Sequence, residues 1–461
     1  MTGAAPRAGL LTSARRIAPL AWPVFIGQVA VLAFGTVDTV LAARYGALDL
    51  AALAIGGAAY VTVFIGLMGV VLAVGPIAGH LFGAGQYHEC GAQLHQAMWL
   101  ALALSVVGCS VLLFPQPFLA LSHAQPEVAS RARGYLGALA FALPFALLFT
   151  AFRGFNTAVS RPKIVMALQL GALVVKVPLS ALLVFGFEPL NVAALGAPGC
   201  GIATAVCMAG QMAAAGWVLR RDPFYERFGL RRRPRPPDRA SLAGLLRLGV
   251  PMGGSILVEV TGFSFMAFFI ARLGATPVAG HQIAINLVSM MFMMPLAIGN
   301  ASSTLVAQRI GAEDLRDARR IGWHGLELAT LMAAAMGAAV YALREGILSA
   351  YTRDAAIIAA ALPLLTWVAV FHVADAAQTV AAFVLRAWRI ATVPLLIYVL
   401  AIWGVGLGGG YLLAFDTLGW SPANLRGAQG FWSAATAGLV VAGSGMSAFL
   451  LWMLRAQGRA P

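Results

Sequence analysis

The sequence predicts an all-α integral membrane protein with twelve transmembrane helices, built as two six-helix lobes that are related by a parallel internal repeat. Three observations predict this class. Hydrophobic residues make up 60% of the 461-residue chain and charged residues only 10%, uncharged apolar runs recur along it, and its two halves resemble each other. Soluble domains carry about 25% charged residues, so this composition excludes an ordinary soluble fold.

The apolar runs are long enough to cross a bilayer. Residues 51–79 contain no charged residue, and a helix of about 20 apolar residues crosses a hydrocarbon core about 30 Å thick. Runs of this length predict helices, because lipid offers the backbone polar groups no partners. The predicted spans are residues 18–43, 51–79, 96–120, 134–152, 164–187, 193–219, 246–271, 276–308, 321–343, 355–385, 390–415 and 428–454.

Lysine and arginine are distributed unevenly between the two sets of connectors. If both termini lie on one side, that side carries 23 of these residues, the other side carries seven, and Lys176 lies inside a span. By the positive-inside rule, this excess predicts cytoplasmic termini and an even number of spans. The net charge of +14 therefore indicates orientation in the membrane, and we expect no binding to nucleic acid.

The longest connector predicts the boundary between the lobes. We assign residues 1–219 to an N-lobe, 220–245 to a basic cytoplasmic linker and 246–461 to a C-lobe. The nine arginines from Arg220 to Arg247 predict that the linker contacts anionic lipid headgroups.

The two halves on either side of the linker repeat each other. AARYGALDLAALAIGGA at Ala42 aligns with IARLGATPVAGHQIAIN at Ile270 at an offset of 228 residues, and GAPGCGIATA at Gly196 aligns with GAQGFWSAAT at Gly427. Six spans per repeat make both halves enter the membrane in the same direction. Parallel repeats of this kind are typical of transporters.

Four titratable residues lie deep within the predicted spans: Asp38, Lys176, Glu259 and Asp375. A charge at the bilayer centre costs roughly 2.5–3.5 kcal/mol, so such residues usually carry function. We expect a proton or cation site, or a cavity for a cationic substrate, with structural pairing as the alternative. Asp38 and Lys176 share the first half, which suggests an ion pair. Glu259 and Asp375 share the second half, which suits cation coupling and allows a sodium site.

Several other kinds of chemistry have no sequence signal. The chain contains no Gly-Lys dipeptide, no H-E-x-x-H and no G-x-S-x-G, so neither ATP drive nor a common hydrolase is indicated. We expect a protein that is not an enzyme and has no cofactor. The four cysteines are interpreted as small apolar residues, and His281 and His372 as hydrogen-bonding residues in helix packing. A flippase for lipid-linked precursors and an intramembrane enzyme stay open as alternatives.

Three segments resemble the MATE family (multidrug and toxic compound extrusion), in its NorM-like branch. They are PVFIGQVAVLAFGTVDTVLAARYG from Pro23, PMGGSILVEVTGFSFMAFFIARLGATPVAGHQIAIN from Pro251 and ADAAQTVAAFVLRAW from Ala374. The resemblance covers nearly the whole chain and implies two lobes in a V shape in a bacterial inner membrane. It also implies efflux of cationic or amphipathic drugs in exchange for protons or sodium ions by alternating access. By motif, Asp38 matches the family's first-lobe carboxylate, and Glu259 and Asp375 match its cation-site carboxylates.

The chain departs from the family pattern near these sites. Lys176 and Ser180 stand where asparagines are frequent, and Phe371 and Phe292 where tyrosines occur. Fewer amide and hydroxyl oxygens weaken a sodium site, whereas carboxylates suffice for protons, so H⁺ is favoured over Na⁺. The expected partners are drugs and membrane lipids, and the expected state is a monomer. The candidate residues for a substrate cavity between the lobes are Gln28, Gln282, Asn286, Phe292, Met293 and Phe371.

Overall fold

The computed structural model describes residues 9–122, 125–190, 192–231 and 235–456. Within these residues, twelve helices are long and apolar enough to cross a membrane, which confirms the predicted class and number of spans. Four of the arginines on the predicted cytoplasmic side lie outside the described residues: Arg7, Arg232, Arg233 and Arg459. The helices are α1 (Leu10–Tyr45), α2 (Ala47–Gly83), α3 (Tyr87–Leu113), α4 (Pro126–Ala158), α5 (Pro162–Phe185), α6 (Ala197–Arg221), α7 (Arg239–Ala271), α8 (Ala275–Gly311), α9 (Leu315–Tyr351), α10 (Ala355–Ala387), α11 (Thr392–Ala414) and α12 (Ala428–Arg455).

Some helices extend beyond the apolar runs that predicted them. The sequence predicts residues 321–343 for the ninth span, whereas α9 covers Leu315–Tyr351. Its first turns contain Arg316, Asp317, Arg319 and Arg320 and begin after Asp314, whose carboxylate accepts a hydrogen bond from the backbone N–H of Asp317 at 3.0 Å. Such a cap can start a helix ahead of the apolar run that crosses the membrane. Hydropathy therefore located the span but missed its polar ends.

The third helix ends earlier than predicted. The apolar run continues to residue 120, but α3 stops at Leu113 and a separate short helix covers Gln116–Ser122. Pro115 disfavours helical backbone at Phe114, and Phe114 has φ −112° and ψ 65°. Proline therefore overrides the continuous hydrophobicity.

Two spans are irregular inside the membrane. The helix α2 breaks at Leu72 and Ala73, because Pro76 cannot donate to the Leu72 carbonyl and its ring clashes with it. The Gly75 N–H donates to that carbonyl instead, at 3.0 Å. The helix α11 contains a π-helical segment, Val399–Gly408, a wider form that is frequent at functional sites.

The internal repeat is visible in the backbone conformation as well as in the amino-acid sequence. Left-handed φ angles, which side-chain-bearing residues rarely adopt, recur at matching connectors of the two halves. This agreement is independent of residue type and confirms the repeat. The pairs are Gly85 (φ 72°) and Glu313 (61°), Ser160 (61°) and Arg389 (58°), and Gly196 (61°) and Gly427 (68°).

The chain forms two compact units, each with its own buried core. The N-unit is residues 26–253, and the C-unit is residues 254–461 together with the chain up to Phe25. Both limits fall inside helices, α1 and α7, and thus differ from the predicted limits at the linker. In the C-unit, Ile17 is fully buried and packs with residues of α8, α9 and α10. The placement of the lobe boundary at residues 220–245 stays a prediction.

The described part of the linker between α6 and α7 packs against the N-unit. Tyr225 is fully buried and Phe228 is 2% exposed, and Gly91 of α3 allows this approach because a Cβ there would lie 2.1 Å from the Phe228 carbonyl oxygen. The Tyr225 hydroxyl donates to Asn156 Oδ1. Burial raises the pKa of Tyr225 to about 12, so this hydroxyl stays protonated at neutral pH. The described part of the linker is therefore folded within the N-unit.

Candidate functional site

A buried ion pair joins α1 to α5 in the N-unit. The Lys176 ammonium lies 2.8 Å from each carboxylate oxygen of Asp38. Lys176 has no exposed surface and Asp38 is 5% exposed. Each charge offsets the desolvation cost of the other, which neither residue could bear alone. The structure thus brings together the two charged residues that the sequence analysis expected to pair, across 138 positions of the chain.

Polar groups of α5 and α6 complete the surroundings of this pair. Lys176 also donates to Thr204 Oγ1 at 2.6 Å and to the Cys200 carbonyl at 3.4 Å. With Asp38 these make three acceptors for the three ammonium protons. Ser180 lies one turn after Lys176 on the same face of α5, and its hydroxyl donates to Asp38 Oδ1 at 3.4 Å. The arrangement satisfies both charged groups.

A second polar group lies in the C-unit around Gln378. Its side-chain Nε2 donates to Asp375 Oδ1 at 2.9 Å and to Glu259 Oε1 at 3.4 Å. Asp375 and Gln378 are three residues apart on one face of α10, and Glu259 comes from α7. Asp375 is 3% exposed and Gln378 is fully buried. The two carboxylates predicted to act together are therefore linked through one amide.

Two further residues belong to this group. The Tyr398 hydroxyl donates to Gln378 Oε1, and Tyr398 directly precedes the π-helical segment of α11. The Arg386 guanidinium is 6% exposed and acts on the Glu259 carboxylate electrostatically over a longer distance, since among the described residues no ion pair within 4 Å joins them. Arg386 follows the predicted span 355–385 directly and lies in the last turn of α10, which extends to Ala387. The group therefore combines two carboxylates, an amide, a phenol and a guanidinium.

Gln378 and Tyr398 are not among the predicted site residues. A signal existed for Gln378, because its spacing of three from Asp375 puts both side chains on one helix face. Tyr398 stands in the apolar stretch PLLIYVL, where nothing distinguishes it from a membrane-facing aromatic residue. Only the folded structure shows that Tyr398 is a hydrogen-bond partner of Gln378.

Close packing of α7 against α11 holds Glu259 in place. Gly262 permits the approach, since a Cβ there would lie 2.7 Å from Ile402 Cγ2. Trp403 of the π-helical segment donates from Nε1 to the Val258 carbonyl at 3.1 Å. That carbonyl precedes Glu259 in the chain, so the contact fixes the backbone next to the carboxylate.

The predicted cavity residues are found in different environments. Gln282 and Asn286 are exposed, and Gln28, Phe292 and Met293 are half-buried. Two of them already have partners within their own unit. Gln28 Oε1 accepts a hydrogen bond from Arg153 at 3.2 Å, and Asn286 Oδ1 accepts one from Tyr351 at 2.8 Å. A role for these five residues in substrate binding stays a prediction.

Phe371 is a core residue in this structure. It has no exposed surface, and its ring centroid lies 5.9 Å from that of Phe263 and 5.5 Å from that of Trp432. The cavity that it lines measures about 20 Å³. Such a space holds about one water molecule and no drug-sized ligand. Phe371 therefore supports helix packing beside Asp375.

The two intramembrane histidines differ in their hydrogen bonding. Trp432 Nε1 donates to His281 Nδ1 at 3.2 Å, as expected for a helix-packing histidine. Within the part of the chain that the structure describes, neither ring nitrogen of His372 has a hydrogen-bond partner. The expectation of a hydrogen-bonding role therefore fails for His372. Among the same residues, no three His, Cys, Asp or Glu side chains converge as a metal site.

Comparison with known proteins identifies the family. The sequence model of the MatE family matches residues 23–182 and again residues 251–412. The chain belongs to the MatE family. The two matches begin 228 residues apart, the offset at which the halves of this MatE chain align. A relative from Aromatoleum aromaticum, named a probable multidrug resistance protein NorM, is 38% identical over 453 residues, which cover 98% of this chain and 96% of the relative.

Other comparisons agree with this assignment. The multidrug resistance protein NorM of Vibrio cholerae is 32% identical over 451 residues, covering 95% of each chain. The crystal structure of a eukaryotic MATE transporter, AtDTX14, superposes with a TM-score of 0.85 over 96% of each chain at 18% identity. That likeness shows the fold. Together with the twelve apolar helices, family membership identifies the MatE chain as a multi-pass membrane transporter.

Proposed function

We propose that this MatE protein is a secondary active multidrug efflux antiporter, which exports cationic or amphipathic drugs in exchange for protons. The names of its relatives support drug efflux. The observation that carries the proposal is the linked pair of carboxylates, Glu259 and Asp375, in the C-unit. Arg386 offsets only part of the negative charge of the two carboxylates, so the group still attracts a further positive charge.

Carboxylates in this position explain exchange on electrostatic grounds. A buried negative charge is costly in a low-dielectric interior, and a bound cation or proton removes that cost. A cationic drug and a proton neutralise the same charge, so each weakens the binding of the other. Antiport follows when the two are released on opposite sides of the membrane.

The atoms around the carboxylates favour a proton over a sodium ion. Hard cations prefer a shell of several oxygen ligands. Here the group that reaches both Glu259 and Asp375 is the Nε2 donor of Gln378. The oxygen of the same amide accepts from Tyr398. A sodium ion at Glu259 and Asp375 would have to displace these hydrogen bonds, whereas a proton would not.

The ion pair of the N-unit supplies a second protonation step in the proposal. Protonation of Asp38 would remove the charge that holds the Lys176 ammonium and would leave a buried cation without a counterion. The ion pair would then break, and the side chain of Lys176 would be free to move, which would allow α1 and α5 to change their relative position. If Lys176→Asn left transport and its pH dependence unchanged, this step would be wrong.

The proposal is tested with purified protein in proteoliposomes. A proton gradient and a sodium gradient are imposed separately, and efflux of a fluorescent cationic drug is followed. We expect the proton gradient to drive efflux and the sodium gradient to add little. Efflux that ignores both gradients would contradict the antiport mechanism. Efflux driven by the sodium gradient alone would be consistent with antiport but would identify sodium, rather than the proton, as the coupling ion.

A further inference from the structure

The N-unit contains a cavity that is larger than the one beside Phe371 in the C-unit and that the proposed transport mechanism does not use. It measures about 320 Å³, within the roughly 300–1,000 Å³ range of small-molecule sites. Helices α3, α4 and α6 and the start of the linker form its walls. Its lining residues are Leu94, His95, Met98, Trp99, Leu102, Leu148, Met212, Gly216, Leu219, Arg220 and Leu230.

The cavity is elongated and apolar along most of its length. It follows α3 from Leu94 to Leu102 and α6 from Met212 to Arg220. Eight residues of helix rise about 12 Å, which matches a substantial part of a lipid acyl chain. Leu102 is 38% exposed and Trp99 is 37% exposed, so the cavity opens toward the surface that meets lipid.

One end of the cavity carries positive charge. Arg220 is exposed, and among the described residues no carboxylate lies within 4 Å of its guanidinium. Two arginines of the linker have carboxylate partners, since Arg231 pairs with Glu226 and Arg235 pairs with Glu89 at 3.2 Å. Arg220 is thus the lining residue with charge left for an anion.

Other groups reinforce the polar end. His95 also lines the cavity, and its Nδ1 has no hydrogen-bond partner within the described chain. The linker is fixed beside it, since Trp99 Nε1 donates to the Arg235 carbonyl at 2.9 Å and Gln96 Nε2 donates to the Pro236 carbonyl at 2.9 Å. Polar and apolar ends are therefore held in a defined arrangement.

We propose that this cavity is a binding site for an anionic phospholipid, with one acyl chain between α3 and α6 and the headgroup phosphate at Arg220. Anionic lipids of the cytoplasmic leaflet are attracted to basic groups at the ends of spans, and the predicted orientation puts the arginine-rich linker on that side. A cationic drug fits the cavity less well, because Arg220 would repel its charge.

Two substitutions test the two ends of the site, each with a neighbouring control. Gly216→Phe fills the apolar part, and the space beyond its Cβ is open. Gly210→Phe is the control, because Gly210 has the same open space on the same helix but does not line the cavity. Arg220→Gln removes the charge, with the exposed Arg221→Gln as its control.

Binding is measured by native mass spectrometry of the full chain titrated with palmitoyl-oleoyl phosphatidylglycerol or with phosphatidylcholine of the same chains. We expect Arg220→Gln to lower the affinity for the first bound phosphatidylglycerol molecule about fivefold and to leave the affinity for phosphatidylcholine unchanged. Gly216→Phe should weaken both lipids at least about tenfold, and both controls should bind like the wild type. Wild-type binding by Gly216→Phe, or equal losses in Arg220→Gln and Arg221→Gln, would overturn the proposal.

A labelling experiment avoids dependence on the folding of a variant. Wild-type protein is irradiated with phosphatidylglycerol that carries a diazirine on one acyl chain, and the labelled peptides are identified. We expect the label to concentrate on residues 94–102 and 212–219. Even labelling of all spans would contradict the site, and displacement of the lipid by millimolar inorganic phosphate or by a cationic dye would assign the cavity to that other ligand.

Discussion

The Asp38–Lys176 pair and the Glu259–Asp375 group lie only partly on corresponding helices of the two repeats. The helices α1 and α5 carry the first. Their counterparts α7 and α11 contribute Glu259 and Tyr398 to the second, whereas Asp375 and Gln378 lie on α10, the counterpart of α4. In the N-unit one carboxylate meets one ammonium at 2.8 Å. In the C-unit two carboxylates share the amide of Gln378, with Arg386 acting on Glu259. The repeat therefore conserves the scaffold but not the charge.

This difference separates two roles for buried charge. The N-unit pair is internally neutral, so removing either partner leaves an uncompensated charge in an apolar interior. The C-unit group has more negative than positive side chains, so removing one carboxylate relieves repulsion. Substitutions in the first group should therefore lower stability as well as alter transport, whereas those in the second should alter transport with little loss of stability.

The largest effect is expected from Lys176→Met. The change strips Asp38 of its counterion and should cost about 3–5 kcal/mol of folding free energy. It is measured as a fall in the thermal unfolding temperature of the purified protein. Lys163→Met, at an exposed lysine of the same helix, should change little. Adding Asp38→Asn should restore most of the loss, and failure of that rescue would show that the pair is not the cause.

The next effect concerns transport. Glu259→Gln and Asp375→Asn each remove one charge and retain an oxygen that can accept from Gln378. We expect drug efflux driven by a proton gradient to fall about a hundredfold, which corresponds to about 2.8 kcal/mol, with little change in the unfolding temperature. Initial efflux rates in proteoliposomes measure it. The exposed Glu345→Gln serves as control. Normal efflux by Asp375→Asn would contradict the proposed coupling role.

A smaller effect is expected from Tyr398→Phe. The variant removes the hydroxyl that donates to Gln378 Oε1 and leaves a buried amide oxygen unsatisfied, at a cost of about 1–2 kcal/mol. Efflux rate and unfolding temperature should both decline. Tyr411→Phe in the same span is the matched control, since its ring packs against Phe415 at 4.9 Å. Equal losses in the two variants would place the effect in packing rather than in the hydrogen bond.

The smallest effect is expected from Thr204→Val. It removes one acceptor of Lys176, at 2.6 Å, but keeps the ion pair and the side-chain volume, so about 1 kcal/mol of stability should be lost. Thermal unfolding again provides the measurement. Thr39→Val is the control, because Thr39 is exposed and its hydroxyl also bonds the carbonyl four residues earlier, at 2.9 Å. A null result would mean that Asp38 and the Cys200 carbonyl suffice for the ammonium.

Part of the site was predictable because intramembrane charge is rare. Asp38, Lys176, Glu259 and Asp375 stand out by type alone, and the structure groups them in the expected pairs. Tyr398 could not be found in this way, since an aromatic residue is common in lipid-facing positions. Arg386 was not predicted to act near Glu259, because a charged residue at the end of an apolar run resembles an ordinary connector residue.

The sequence by itself determined the twelve spans, the repeat at an offset of 228 and the four charges that need an explanation. It could do so because the bilayer imposes a fixed length and a fixed polarity on every helix. The tertiary structure decided which partners each charge meets. Lys176 finds Thr204 on a different helix, and Gln378 reaches Glu259 across 119 positions. Such contacts depend on how helices pack in three dimensions, and hydropathy along one chain contains no information about them.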